Sequence, residues 1–226
     1  MVVFESSSST ETILTSCFEL RFSWHEDRWK HEIVSTMQAQ SLPRIASLEA
    51  TTDIADQTRV VSPTYQQIHL EQDKAKGTVR AFLVGQSGPH HFSAAFKVEE
   101  RPHGAVIDVD VADRCLSPVD YLAATYTVEL STGTWTSESH VTSDPDAATD
   151  PAVAARTALV LTCEHPHSRL IFEADAPARH SADEFGHGVV RIQALSHLLE
   201  SNQTHRFRYR WRWVNDPNPG LWDRSV

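Results

Sequence analysis

Cysteine is scarce in this chain: Cys17, Cys115 and Cys163 form an odd set with no CxxC spacing. Such a set suggests neither a disulfide framework nor a structural zinc site, and it points to a reducing, cytoplasmic setting. Glycine is also sparse, with 8 residues, and no P-loop, GxGxxG or GxSxG motif occurs. Gly85-Gln86-Ser87-Gly88 imitates a nucleophile motif, but it falls in a predicted hairpin turn rather than at a strand-to-helix elbow. Long apolar runs are missing, so no stretch reaches the roughly 20 residues that a membrane helix needs. The first residues, Met1 to Glu5 followed by the serines 6 to 9, lack the basic and apolar regions of a signal peptide. Positive charge is in deficit. A net charge of -10 repels polyanions, so neither general nucleic-acid binding nor a membrane partner is expected.

What the chain does have is alternation. Arg206-Phe207-Arg208-Tyr209-Arg210-Trp211-Arg212-Trp213 alternates cation with aromatic, and Phe18-Glu19-Leu20-Arg21-Phe22-Ser23-Trp24-His25 alternates apolar with polar. Strand side chains point to opposite faces with a period of two, so each segment carries one apolar face for a core and one polar face for water or a partner. The aromatic halves, with Trp24, Trp211 and Trp213, are expected inside. Matching heavy faces also suggest that these two segments pair with each other.

Further strands are predicted from the same pattern. Residues 18–25 and 29–34 read as one hairpin, 78–84 and 91–99 as a second, and 105–111 follows across the turn Arg101-Pro102-His103-Gly104. Residues 121–130 and 135–141 are expected to pair around Gly133, and 157–163 and 169–174 around His165-Pro166-His167. An N-cap-like Asp150 before Pro151 and the stretch His197-Leu198-Leu199 suggest short helical turns. The fold class is therefore all-β, an antiparallel β-sandwich or flattened barrel of roughly ten strands with one or two short helical turns. Residues 1–15 are expected to be poorly ordered, and 16–226 to form a single all-β domain.

Register follows from parity. To keep Phe92, Ala94, Phe96 and Val98 on the same side as Ala105, Ile107, Val109 and Val111, facing residue numbers must sum to an odd value, as for Phe96 with Ile107 or Ala105. A one-residue slip would bury Asp108 against Phe96 at a cost of several kcal/mol. His91 and Ser93 therefore share the outer face with Asp108 and Asp110.

Four features could carry function. Arg206, Arg208, Arg210 and Arg212 would stand about 7 Å apart along one face, where they could bind phosphate, carboxylate or an acidic partner. Repulsion between such neighbours in water is only about 0.6 kcal/mol, so pairing with acids such as Glu19, Glu32 or Glu129 would also account for the stripe. Asp108 and Asp110, with His91 beside them, are candidate catalytic residues at a separation within the range of two-carboxylate glycosidase chemistry. Lys97, Arg80 and His91 could equally neutralise them. His165 with His167, and His180 with His187, are candidate metal ligands. His90, His91 and His103 gather near neighbouring turns, and His25 and His31 would face each other across the first hairpin. None of these matches a HExxH or ExxH spacing.

The reading these features favour is a non-catalytic binding or assembly module for a protein partner or for self-association, with no cofactor. The alternative is a small-molecule or carbohydrate-binding sandwich, as hydrolase or lyase, using the outer-face histidine and aspartates. A second alternative is a metal-dependent enzyme with a divalent ion at a histidine cluster.

Overall fold

The fold is that of a computed structural model, which describes residues 2–36, 43–48, 59–130, 135–143, 155–163, 168–175, 178–182, 187–193 and 202–215. Among them the chain forms seventeen strands and no helix. In chain order these are β1 (Val3–Ser6), β2 (Thr10–Leu14), β3 (Phe18–His25), β4 (Arg28–Ser35), β5 (Arg44–Ser47) and β6 (Arg59–Val60). Then follow β7 (Gln67–Asp73), β8 (Thr78–Ser87), β9 (His90–Arg101), β10 (Gly104–Cys115), β11 (Tyr121–Glu129) and β12 (Trp135–Ser143). The last are β13 (Ala155–Cys163), β14 (Ser168–Ala174), β15 (Ala178–Ala182), β16 (His187–Gln193) and β17 (Gln203–Asn215).

They build two sheets. Sheet I runs β1-β2-β3-β4-β5-β11-β16-β15, with β6 attached in parallel to β11, and sheet II runs β12-β13-β14-β17-β10-β9-β8-β7. All other pairings among the described residues are antiparallel. The all-β sandwich expected from alternation is the fold observed, divided into more strands, of which β8, β9, β10 and β17 run longer than alternation alone suggests. The helical turns expected near Asp150 and His197 lie outside the described residues, as does the expected turn at His165 to His167.

The core lies between the apolar faces of the two sheets. Phe22 of sheet I meets Phe96 of sheet II edge-on at 5.3 Å, and Tyr126 of sheet I meets Trp211 of sheet II in the same manner at 5.6 Å. Phe172 packs against Trp211 at 4.6 Å between centroids. Burying each such ring contributes about 1.5–3 kcal/mol, more where edge-to-face geometry adds to area. One polar chain crosses this core. His31 Nε2 lies 2.8 Å from the Tyr126 hydroxyl, which lies 2.5 Å from the Tyr209 hydroxyl, so β4, β11 and β17 are tied through the middle of the sandwich. Burial holds the His31 imidazole neutral, its pKa lowered to about 3.

Parity settles the register correctly where it applies. Phe96 faces Val109 rather than Ile107, but odd residues of β10 and even residues of β9 point inward, and Asp108 and Asp110 point out. The hairpins β3–β4, β8–β9 and β13–β14 form as expected.

Four expectations are corrected. Residues 3–14 are not a loose leader: β1 and β2 pair, β2 continues onto β3, and Val2 and Ile13 are buried. The segments 18–25 and 206–213 do not pair, because they lie in different sheets: Phe22 packs across the core on Phe96 of β9, and Tyr209 and Trp211 pack on Tyr126 of β11. β11 and β12 do not form a hairpin either; β11 pairs with β5 and β16, and β12 with β13. Trp211 and Trp213 are buried, but Trp24 is 40% exposed near the end of β3, where it packs edge-on against Trp29.

Candidate functional site

The polar face of sheet II is set by strand phase. β17 turns Phe207, Tyr209, Trp211 and Trp213 inward, which leaves its arginines on the surface, and β10 turns Asp108 and Asp110 out beside them. Straight across the strands, one row runs Glu71, Arg80, Lys97, Asp108, Arg210 and Glu173. The adjacent row runs His69, Phe82, Ala95, Asp110 and Arg208. Neighbours in a row are about 4.8 Å apart, close enough for direct pairing.

The arginine stripe and the aspartate pair, separate features in the sequence, are therefore one site. Arg206 binds Asp110 through two bonds, Nε to Oδ1 and a terminal nitrogen to Oδ2, both 2.6 Å. Arg208 Nε donates to the same Asp110 Oδ2 at 3.0 Å, and Arg210 Nε donates to Asp108 Oδ1 at 2.5 Å. Arg212 reaches Glu173 at 3.4 Å. Glu19, Glu32 and Glu129 are not the partners. They stand on sheet I, where Arg21 pairs with Glu19 and Glu32, and Arg44 with Glu32 and Glu129. Neither Lys97 nor Arg80 is needed to balance the aspartates.

Between the rows lies a cleft of about 300 Å³, lined by Ala95, Lys97, Asp108, Asp110, Glu173, Asp175, Arg208 and Arg210, with Val109 and Tyr209 contributing from strands whose side chains face the core. Ala95 makes the hollow. Its methyl group leaves the floor low between Asp110 on one side and Phe82 on the other, and the Phe82 ring is 38% exposed one strand beyond the cleft. Burial opposes ionisation of Asp110, but the hydrogen bonds and charges of Arg206 and Arg208 outweigh it and hold the carboxyl below its ordinary range. For Arg210, the hydrogen bond to Asp108 dominates and holds its proton more firmly than usual.

His91 shares the outer face but not the site. It stands opposite Arg114 and Gln86, four residues along β9 from Ala95 and so about 13 Å away. His25 faces Arg28, and His31 faces Phe22 inside the core, so that pair is not formed. His165 and His167 lie outside the described residues. His180 falls on β15 and His187 on β16, where only the backbone is described.

Sequence reasoning misses Glu173, Asp175 and Lys97 as lining residues. The signal for Glu173 is present, since Leu170, Phe172 and Ala174 take the inner positions of β14 and put Glu173 outside. What the sequence lacks is the strand order that sets β14 beside β17.

No protein-family model matches the chain, and no curated protein matches it in sequence. Among solved structures, the fold is similar to that of a galactose mutarotase-like protein from Clostridium acetobutylicum, at 8% identity and a TM-score of 0.52, over 96% of this chain and 99% of that one. A galactose mutarotase-like protein from Lactobacillus casei aligns at 8% identity over 94% of this chain and all of the other, with a TM-score of 0.47. The chain thus has an all-β sandwich fold of galactose mutarotase-like architecture.

Proposed function

We propose that this chain is a saccharide-binding β-sandwich that holds a neutral sugar in the Asp108–Asp110–Arg208–Arg210–Glu173 cleft. The observation that carries this reading is the pairing of carboxylates with guanidinium groups inside a concavity of about 300 Å³. That volume is at the lower end of small-ligand sites. Vicinal hydroxyls are both donors and acceptors, and an Asp–Arg pair offers an acceptor and a donor side by side. Three cations and four carboxylates line the cleft, so a phosphorylated or carboxylated ligand gains little there and a neutral one is favoured. The fold likeness to a galactose mutarotase-like protein supports the same ligand class.

Binding is favoured over hydrolysis or elimination. Asp110 is held ionised by two arginines and is a poor proton donor, and His91 is too far along β9 to assist. A reducing, cytoplasmic setting belongs to the same proposal, and the burial of Cys17 and Cys115 as thiols supports it.

The test is titration of the protein with galactose, glucose and their 6-phosphates, followed by backbone amide NMR. The expected result is saturable shifts on β9, β10, β14 and β17 with the neutral sugars, lost in Asp110→Ala/Arg208→Ala. Shifts confined to other strands, or none, would overturn the proposal.

A further inference from the structure

At one end of the sandwich the core face of sheet II changes character. Along β10 the inward positions run Ala105, Ile107, Val109 and Val111, and then Asp113 and Cys115. His90 opens β9 opposite Cys115, and His205 on β17 stands opposite Asp113. All four are buried, and Asp113 has no exposed surface at all. His90 Nδ1 lies 2.7 Å from Asp113 Oδ2, and its Nε2 lies 4.0 Å from Cys115 Sγ. The other carboxylate oxygen, Asp113 Oδ1, is buried without a hydrogen-bond partner. One donor atom each from His90, Asp113 and Cys115 falls within 4.8 Å of the other two.

A nucleophilic Cys–His–Asp triad has a similar layout, but its chemistry does not fit this place. Cys115 has no exposed surface through which a substrate could reach it, and its thiol donates to the Ser117 carbonyl at 2.8 Å. Burial also pushes the thiol up, away from the reactive thiolate.

We propose that His90, Asp113 and Cys115 form a binding site for a zinc-type divalent cation. One nitrogen, one thiolate and one carboxylate oxygen are the donor set zinc takes, and a thiolate with a carboxylate neutralises a 2+ ion, which matters in a buried layer. The edges of a tetrahedron with bonds of about 2.0–2.3 Å are roughly 3.3–3.8 Å. Side-chain rotations of about 1 Å close the cluster onto an ion: the thiol loses its proton to solvent, and the His90–Asp113 contact opens. The unpartnered Asp113 Oδ1 gains the partner that it lacks. Three protein ligands leave one coordination position for water or a further side chain. The site lies on the core face of sheet II, on the opposite side of the sheet from the charged cleft, and would pin the ends of β9 and β10.

The experiment uses the full chain, stripped with a chelator and titrated with Co2+ as a coloured substitute for zinc. The expected result is a thiolate-to-cobalt absorption band that saturates at one equivalent and is abolished by zinc. The band should survive Cys17→Ser and Cys163→Ser and vanish in Cys115→Ser, and His90→Gln should weaken zinc binding by about 100-fold or more. Zinc should also raise the urea midpoint of the wild-type protein, a readout that needs no variant. Absence of the band in the wild-type protein, or its persistence in Cys115→Ser, would overturn the proposal and leave His90 and Asp113 as a buried ion pair.

Discussion

The hydroxyl groups of Tyr126 and Tyr209 lie 2.5 Å apart in the middle of the core, one carried by each sheet. Tyr126 also faces His31, so the two tyrosines are not equivalent. Removing the Tyr209 hydroxyl leaves Tyr126 with a partner, whereas removing the Tyr126 hydroxyl strands both Tyr209 and His31. Leaving a buried polar group unsatisfied costs about 1–3 kcal/mol. Tyr126→Phe should therefore destabilise the protein by clearly more than Tyr209→Phe in urea unfolding, and equal losses would show that the chain of hydrogen bonds does not act as drawn.

The same chain predicts a pH dependence. His31 is neutral in the folded protein with its pKa lowered to about 3, whereas in the unfolded chain it protonates near 6.5. Between those values the unfolded state binds the extra proton, so stability from this residue is complete above 6.5 and is lost as the pH falls towards 3. The slope is roughly 1 kcal/mol per pH unit. Urea unfolding followed from neutral to mildly acidic pH should show that slope in the wild-type protein and a shallower one in His31→Phe.

Asp110 takes hydrogen bonds from Arg206 and Arg208 at the solvent-facing surface of sheet II. Exposed ion pairs contribute little to folding, so Asp110→Asn should leave the urea midpoint nearly unchanged. A charge-assisted bond to a sugar hydroxyl is worth more, and saccharide affinity should fall about tenfold. Calorimetric titration of the folded variant measures the second effect independently of the first.

Gly104 opens β10 at a φ of +152°, and a Cβ there would lie 1.8 Å from the Trp213 carbonyl oxygen. Gly104→Ala must therefore push β10 away from β17 at the point where they begin to pair. A loss of roughly 2 kcal/mol or more is expected in thermal or urea unfolding. Gly77→Ala is the informative control: it has a φ of +63° but open space around the new methyl, so its loss should be smaller.

Much of this architecture is legible in the amino-acid sequence. Period-two alternation locates β3, β4, β8, β9, β10, β14 and β17, and parity alone puts Asp108, Asp110 and the arginines on outer faces. Strand order is not legible, because it depends on which apolar faces stack and which edges join, and alternation is the same for both. The heavy faces of β3 and β17 both turn into the core, but from different sheets, and nothing local distinguishes that from pairing side by side. For the same reason Asp108 and Arg210 do not announce themselves as neighbours, although each stands out alone. Phase misplaces Trp24 because it says which side a residue faces, not whether the opposite sheet extends far enough to cover it. The polar layer of His90, Asp113 and Cys115 is hidden by position, since residues at strand ends read as turn residues when hydropathy is the guide.

The place of β17 has a consequence for how the molecule is made. It lies between β14 and β10, yet it follows every other strand of sheet II in the chain. Until it inserts, that sheet exists as two separate panels, β7 to β10 and β12 to β14, each with a bare edge where its keystone belongs. Pairing β10 with a strand about a hundred residues away carries a large loop-closure cost, and folding should be correspondingly slow. The charged cleft shares that fate, because Asp108, Arg210 and Glu173 come from three strands that meet only when the keystone is seated.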